Sequence, residues 1–176
     1  MNLEDVKNIN FLVGIPTLEE YYMTLAFMVS SRANCLNRAV GAVLVTSDNR
    51  HILATSYNGV PRGLPHCEVC IRRIKGFGPG EGLNLCNAAH AEQNILTQLA
   101  RNNSGSSKNA ILYVTDSPCS DCCKLIINSE IQRVVYCREY PNPDTFEKLK
   151  IAKVEMVKLD EKMIFDKIKK WADLLK

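Results

Sequence analysis

Ala110-Ile-Leu-Tyr-Val-Thr-Asp-Ser-Pro-Cys-Ser-Asp-Cys-Cys-Lys-Leu-Ile-Ile-Asn-Ser-Glu-Ile-Gln-Arg-Val-Val-Tyr-Cys137 is the stretch on which the fold turns. Ala110–Thr115 is short, apolar and β-branched, as is Ile131–Cys137, and both read as strands. Pro118 to Asn128 between them reads as a helix, with Pro118 suited to its first position. A strand–helix–strand run of this length is a parallel crossover unit. Upstream, Ala88 to about Arg101 reads as a helix, joined to the first strand by the flexible connector 102–108. Before that, Val40–Thr46 and His51–Tyr57 read as a hairpin turned at Ser47-Asp-Asn-Arg50. Thr17 and Glu20 have capping-box spacing and open an amphipathic helix through about Arg32. Downstream, Pro141 and Pro143 break the chain before a helix around Thr145–Ile151 and a strand near Val154–Leu159. The terminal helix, from Glu161, carries Ile164, Phe165, Ile168, Trp171 and Leu175 on one side, the mark of an amphipathic helix docked on a core. Strands alternating with helices after an initial hairpin predict an α/β fold, a three-layer α/β/α sandwich on a central mixed sheet of about five strands. No repeat or composition shift divides the chain, so residues 1–176 read as one domain with a helical tail from about residue 161.

The 176 residues, 46% hydrophobic and 23% charged, are enough to bury one core without disulfides. There is no basic stretch followed by an apolar run and no apolar run near the roughly 20 residues that cross a bilayer. The expected location is the cytoplasm, with no membrane partner. A net charge of +3, with acids interleaved among the bases, argues against a nucleic-acid polymer and leaves small anions as ligands. The eight cysteines are the informative excess. In a chain of this type they point to metal or catalysis before disulfides.

His90-Ala-Glu92 stands at one predicted helix start and Pro118-Cys119-Ser-Asp-Cys122 at the next. Cys119 and Cys122, three apart at a helix N-terminus, project from one face, and the positive helix end favours their thiolates. One His and two Cys leave the fourth position of tetrahedral zinc open, the catalytic and not the structural arrangement. Glu92, two residues past His90, is badly placed to ligate the same ion. It can sit beside the open position and carry protons, the catalytic role expected of it. A lone Cys-x-x-Cys is compatible with a redox motif or half a zinc ribbon. Neither needs Glu92.

Residues 58–87 lose all periodicity. A loop this long inside a domain is functional or stapled from outside, since ordering each residue costs about 1–2 kcal/mol of backbone entropy. Cys67 and Cys70 lie within it, Cys86 closes it, and Cys35 follows the first helix. Four thiolates make a closed tetrahedral site, so a second, structural zinc on Cys35, Cys67, Cys70 and Cys86 is expected; free buried thiols are the alternative. Cys123 and Cys137 are assigned to packing.

His-x-Glu followed by Pro-Cys-x-x-Cys is the signature of the zinc nucleobase deaminases. Arg38-Ala-Val-Gly-Ala-Val-Leu-Val45, Tyr57-Asn-Gly-Val-Pro61, Gly63-Leu-Pro-His-Cys67, His90-Ala-Glu-Gln-Asn94 and Leu112–Cys122 closely resemble the deoxycytidylate deaminase family, over about Tyr22 to Tyr136. The resemblance implies a cytidine deaminase-like fold and zinc-dependent hydrolysis of dCMP to dUMP and ammonia, supplying dUMP for dTMP synthesis. It implies substrate contacts at Asn58 and at the Ala91 and Glu92 amides. Arg38 is the leading phosphate donor, with Ser31 and Arg32 further candidates, and Tyr136 or Tyr140 is a candidate for stacking on base or sugar. It implies a homo-oligomer, a hexamer, activated by dCTP and inhibited by dTTP, with Mg2+ entering only alongside a triphosphate. The allosteric contacts would be Gly41, Asn58 and Gly59. Phage relatives carry a second zinc with mixed Cys and His ligands, which makes His66 a substitute for one thiol. Rival readings are deamination of dCTP, CMP or deoxycytidine, of free cytidine or cytosine, deamination of adenosine in RNA, and a non-catalytic zinc-stabilised assembly protein.

Overall fold

The computed structural model describes residues 15–174. Leu175 of the terminal apolar face lies outside them. The elements are α1 (Leu18–Ser30), β1 (Gly41–Val45), β2 (Ile52–Tyr57), α2 (Ile71–Ile74), a 3-10 turn at Leu83–Leu85, α3 (Ala91–Asn102), β3 (Ile111–Asp116), α4 (Ser120–Asn128), β4 (Arg133–Arg138), α5 (Pro143–Ile151), β5 (Glu155–Lys158) and α6 (Glu161–Leu174). The sheet order is β2-β1-β3-β4-β5. β1 runs antiparallel to both β2 and β3, while β3, β4 and β5 are parallel. This is the expected mixed sheet. The hairpin enters it antiparallel because a tight turn reverses the chain, and the later strands run parallel because each returns through a helix.

Alternation along the strands sends side chains to two buried layers. Ala42, Leu44, Leu112, Val114, Val134 and Tyr136 face Ile95 and Leu99 of α3, Ile126 of α4 and Leu149 of α5. Val43, Val45, Tyr113, Val135 and Cys137 face Tyr22, Met23 and Ala26 of α1 and Ile164 of α6. The all-buried pattern of β1 and β3 follows from helices on both faces. Tyr22 and Tyr113, 5.2 Å apart, reach their hydroxyls to the carbonyl and side-chain oxygens of Asn49 at 3.3 and 3.0 Å. That satisfies two buried phenols and pins the hairpin turn. α6 docks through buried Ile164 and through Phe165, whose ring lies 4.8 Å from Phe27. Among the described residues no helix is long and apolar enough to cross a membrane.

Gly41 is where α1 comes closest to the sheet. A Cβ there would collide with the carbonyl of Ala26 and meet the backbone nitrogen of Ser30 at 2.6 Å. Both obstacles are backbone, so α1 as a whole must retreat. Gly41→Ala is expected to destabilise the chain by about 1–3 kcal/mol, the usual cost of overpacking. Each kcal/mol lowers the melting midpoint by about 2–4 °C at this size. A midpoint unchanged by Gly41→Ala contradicts the packing.

Candidate metal and active site

Two helix N-termini meet at the carboxyl end of β3, where ligands bind in open α/β sheets. β3 runs out at Asp116. Ser117-Pro118 then turns the chain so that Cys119, in extended conformation, is the N-cap of α4. Pro118 therefore precedes the cap and is not the first helical residue, a shift of the expected start that leaves Cys119 facing the neighbouring helix. His90 is the N-cap of α3, also extended, and its backbone N–H donates to Gln93 Oε1 at 2.7 Å. The segment is tied to the hairpin in three ways. Gly59 and Ala89 form an antiparallel bridge, the Ser56 hydroxyl donates to the Ala91 carbonyl at 2.6 Å, and Asn94 Nδ2 donates to the Tyr57 carbonyl at 2.8 Å.

The Sγ atoms of Cys119 and Cys122 each lie 3.3 Å from His90 Nδ1. These are the only three His, Cys, Asp or Glu groups among the described residues whose donor atoms converge tightly enough to share a metal ion. Both thiols are buried. The hydrogen bond from Cys122 pulls the Cys119 thiol down to about 4, and the same contact together with burial pushes the Cys122 thiol up. The bond to Cys119 raises His90. One nitrogen and two sulfurs, held from two helix starts, fit zinc, and three donors leave one coordination position for the reaction. Glu92, in the first turn of α3, is 4% exposed and stands outside the ligand set. Burial pushes its carboxyl up to about 7.

Glu92, His90 and Cys119 form the floor of a cleft of about 230 Å³, whose wall includes Ala91, Asn58, Arg38, Arg72 and Tyr140. The Asn58 side chain is engaged at both ends. Its Oδ1 accepts the Val40 N–H at 2.8 Å, and its Nδ2 donates to the Arg38 carbonyl at 2.7 Å. It fixes the Arg38 segment and keeps one amide N–H for a ligand. Ala91 and Glu92 lie at the helix N-terminus, where amide N–H groups have no intrahelical partner.

Several expected site residues lie elsewhere. Ser31 is an exposed C-cap whose hydroxyl donates to the Met28 carbonyl at 2.7 Å, and Arg32 is exposed beside it. Helix α1 ends too early to bring either into the cleft wall. Tyr136 is a core residue, 5% exposed, with its ring 5.7 Å from Phe146. The register of β4 turns it into the helical layer, and Tyr140, beyond the strand, takes the place at the cleft. Gly41 lies under α1 and not on the cleft. Gly59 is required because a Cβ would collide with the Asn34 side chain, whose Oδ1 accepts the Val60 N–H at 2.8 Å. The two glycines thus have packing reasons of their own.

The thiols of Cys35, Cys67, Cys70 and Cys86, with His66, do not form a metal-binding cluster in this structure. Cys35 and Cys86 instead face the cleft. The loop has a different staple. Buried Arg72 donates from Nε to the Glu81 carbonyl at 2.7 Å and from Nη2 to the Gly78 carbonyl at 3.1 Å. Arg73 donates to the side chain and carbonyl of Asn37, both at 2.9 Å, and the Phe77 ring packs on Gly82, whose φ is 60°. Cys123 and Cys137 are buried, with Cys123 Sγ 3.8 Å from the Thr145 carbonyl.

Sequence reasoning missed Asp116, Arg72 and Phe77 at the cleft. Asp116 alone left a signal, an acid ending an otherwise apolar strand. Nothing in the aperiodic loop distinguished Arg72 or Phe77.

Residues 16–138 match the family model of the cytidine and deoxycytidylate deaminase zinc-binding region. A deoxycytidylate deaminase of Mycobacterium phage D29 is 40% identical over 129 residues, 70% of this chain and 97% of that protein. The Schizosaccharomyces pombe deoxycytidylate deaminase is 38% identical over 127 residues, 71% of this chain but 38% of that longer protein. Among solved structures, the dCMP deaminase of cyanophage S-TIM5 in complex with dCMP and dUMP superimposes with a TM-score of 0.69 at 34% identity, covering 82% of this chain and 98% of that one. With its paired helix starts, its His-Cys-Cys cluster and a matching family model over most of its length, the chain belongs to the cytidine and deoxycytidylate deaminase family.

Proposed function

We propose that this chain hydrolyses dCMP to dUMP and ammonia, with His90, Cys119 and Cys122 holding zinc and Glu92 moving the protons. The observation that carries the reading is a buried carboxylate set beside, and not within, a three-donor metal site at the floor of a cleft. When bound, zinc acts as a Lewis acid and lowers the pKa of a water towards about 7. Glu92 accepts the proton of the attacking water and delivers protons to the ring nitrogen and to the departing amine. The C4–O bond forms, the C4–N bond breaks and ammonia leaves. The Ala91 and Glu92 amides and the spare N–H of Asn58 orient the nucleotide. Arg38, 39% exposed at the cleft, is the phosphate donor. The dCMP and dUMP bound to the cyanophage structure support the choice of nucleotide.

A substrate panel of dCMP, dCTP, CMP and deoxycytidine, read as loss of cytosine absorbance, tests this. A hydrogen bond to a charged group contributes about 1.5–3 kcal/mol. Removing the phosphate is therefore expected to lower kcat/KM on the order of 10- to 100-fold, since remote binding energy orients the base. Equal turnover of deoxycytidine and dCMP refutes the monophosphate.

The same reading extends to a homohexamer activated by dCTP and inhibited by dTTP, supported by family membership. Light scattering, and kinetics with each triphosphate, test it. A second zinc on the loop thiols is the part that geometry supports least, because Arg72 already holds the loop.

A further inference from the structure

We propose that Asp116 is a positioning residue for phosphate recognition, holding Arg38 in the one orientation that presents its guanidinium to the cleft. The proposal rests on the dCMP reading of the site.

Asp116 ends β3, and its side chain is 6% exposed. Each carboxylate oxygen is claimed. Oδ1 accepts from Arg38 Nη1 at 3.0 Å, while Oδ2 is 3.0 Å from Arg138 Nη2 and accepts the Thr115 hydroxyl at 2.8 Å. Thr115 is itself anchored, since its oxygen accepts the Gly41 N–H at 3.3 Å. The carboxylate is therefore held on both oxygens, and it fixes Nη1 of the Arg38 fork. The next residue fixes the fork's face. Ser117 Oγ accepts the Tyr140 N–H at 2.8 Å, and the Tyr140 ring lies 5.2 Å from the Arg38 guanidinium carbon. Asn58 holds the Arg38 backbone. A guanidinium has five donors in a rigid plane, so Nη1 on Asp116 and one face on Tyr140 leave the remaining donors for an anion. Arg138, the second arginine on this carboxylate, also lies 3.7 Å from Glu161, so Asp116 is shared and does not belong to Arg38 alone. A free arginine in the same place would lose side-chain entropy on each binding event.

The test compares kcat/KM for dCMP with that for deoxycytidine in wild type, Asp116→Asn, Arg38→Lys and the double variant, with bound zinc measured in each. Asparagine keeps the shape of Asp116 but offers an N–H where a second guanidinium needs an acceptor. Lysine keeps the charge of Arg38 but replaces the rigid planar fork, which stacks on Tyr140, with a compact ammonium on a flexible stem. Each single variant is expected to lower the dCMP-to-deoxycytidine ratio by ~10-fold or more, the loss of one charge-assisted hydrogen bond. The loss should appear mainly in KM for dCMP. The double variant is expected to fall no further, because the two residues act as one unit. If wild type discriminates and Asp116→Asn discriminates equally, the role of Asp116 is overturned. Multiplicative losses in the double variant, or a ratio retained by Arg38→Lys, overturn it as well. Should Asp116→Asn fail to fold, Asp116→Glu takes its place, keeping the charge but moving both oxygens away from Arg38. An unchanged ratio there overturns the role. If wild type itself does not prefer dCMP, the substrate reading fails first and this role falls with it.

Discussion

Glu92→Gln is expected to retain zinc and a near-wild-type melting midpoint while turnover falls by at least about 10²–10⁴, the usual contribution of one general acid–base group. The amide fills the volume of the carboxyl, so the buried position, 4% exposed, stays packed. It is outside the ligand set, so the metal has no reason to leave. What the amide lacks is a proton it can take up and give away, and deamination asks this group for more than one transfer. The loss is therefore expected at or beyond the upper end of that range, in kcat and kcat/KM alike. Activity within a few-fold of wild type, with zinc bound, rules out Glu92 as the proton carrier.

The second large effect separates two neighbouring thiols. Cys122→Ser is expected to bind one zinc fewer per chain than wild type and to lose detectable turnover, because Sγ of Cys122 is a converging donor, 3.3 Å from His90 Nδ1. Its melting midpoint should no longer rise on addition of zinc, since the native state loses the stabilisation that a bound ligand supplies. Cys123→Ala is expected to keep its zinc and most of its turnover. One position along the helix turns that thiol into the core, where it is buried near the Thr145 carbonyl and outside the converging donor cluster. Elemental analysis of the two variants side by side checks both. Zinc lost from Cys123→Ala and kept in Cys122→Ser would move the ligand assignment by one residue.

Most of the architecture was legible because its determinants are local. The capping box at Thr17 and Glu20 is present as spaced, the hairpin turns on Asn49 in left-handed conformation, and the strands end within a residue or two of their apolar runs. The metal ligands were legible for a related reason. Cys119 and Cys122 are three apart at a helix start, and His90 and Glu92 share the first turn of another, so short spacings place each pair. The expected second zinc rests on the same kind of spacing, but its thiols do not converge in this structure. Cys67 and Cys70 are a local pair, but closing a site with Cys35 and Cys86 depends on the path of a loop that Arg72 and Phe77 shape instead.

The sequence by itself determined the two-layered core, the helix starts and the chemistry at them, since hydrophobic periodicity and capping act over a few residues. Only the tertiary structure decided which side chains surround the substrate. Tyr136 and Tyr140 are four apart and alike in composition. Strand register pairs Tyr136 with Val114 and Lys158 and buries it, while Tyr140 is released beyond the strand end to cover Arg38. Arg38 and Asp116 are 78 residues apart. They meet because β1 and β3 are sheet neighbours running in opposite directions, which brings the approach to one strand beside the exit of the other. Such a contact has no local pattern, as it follows from the pairing order of the whole sheet.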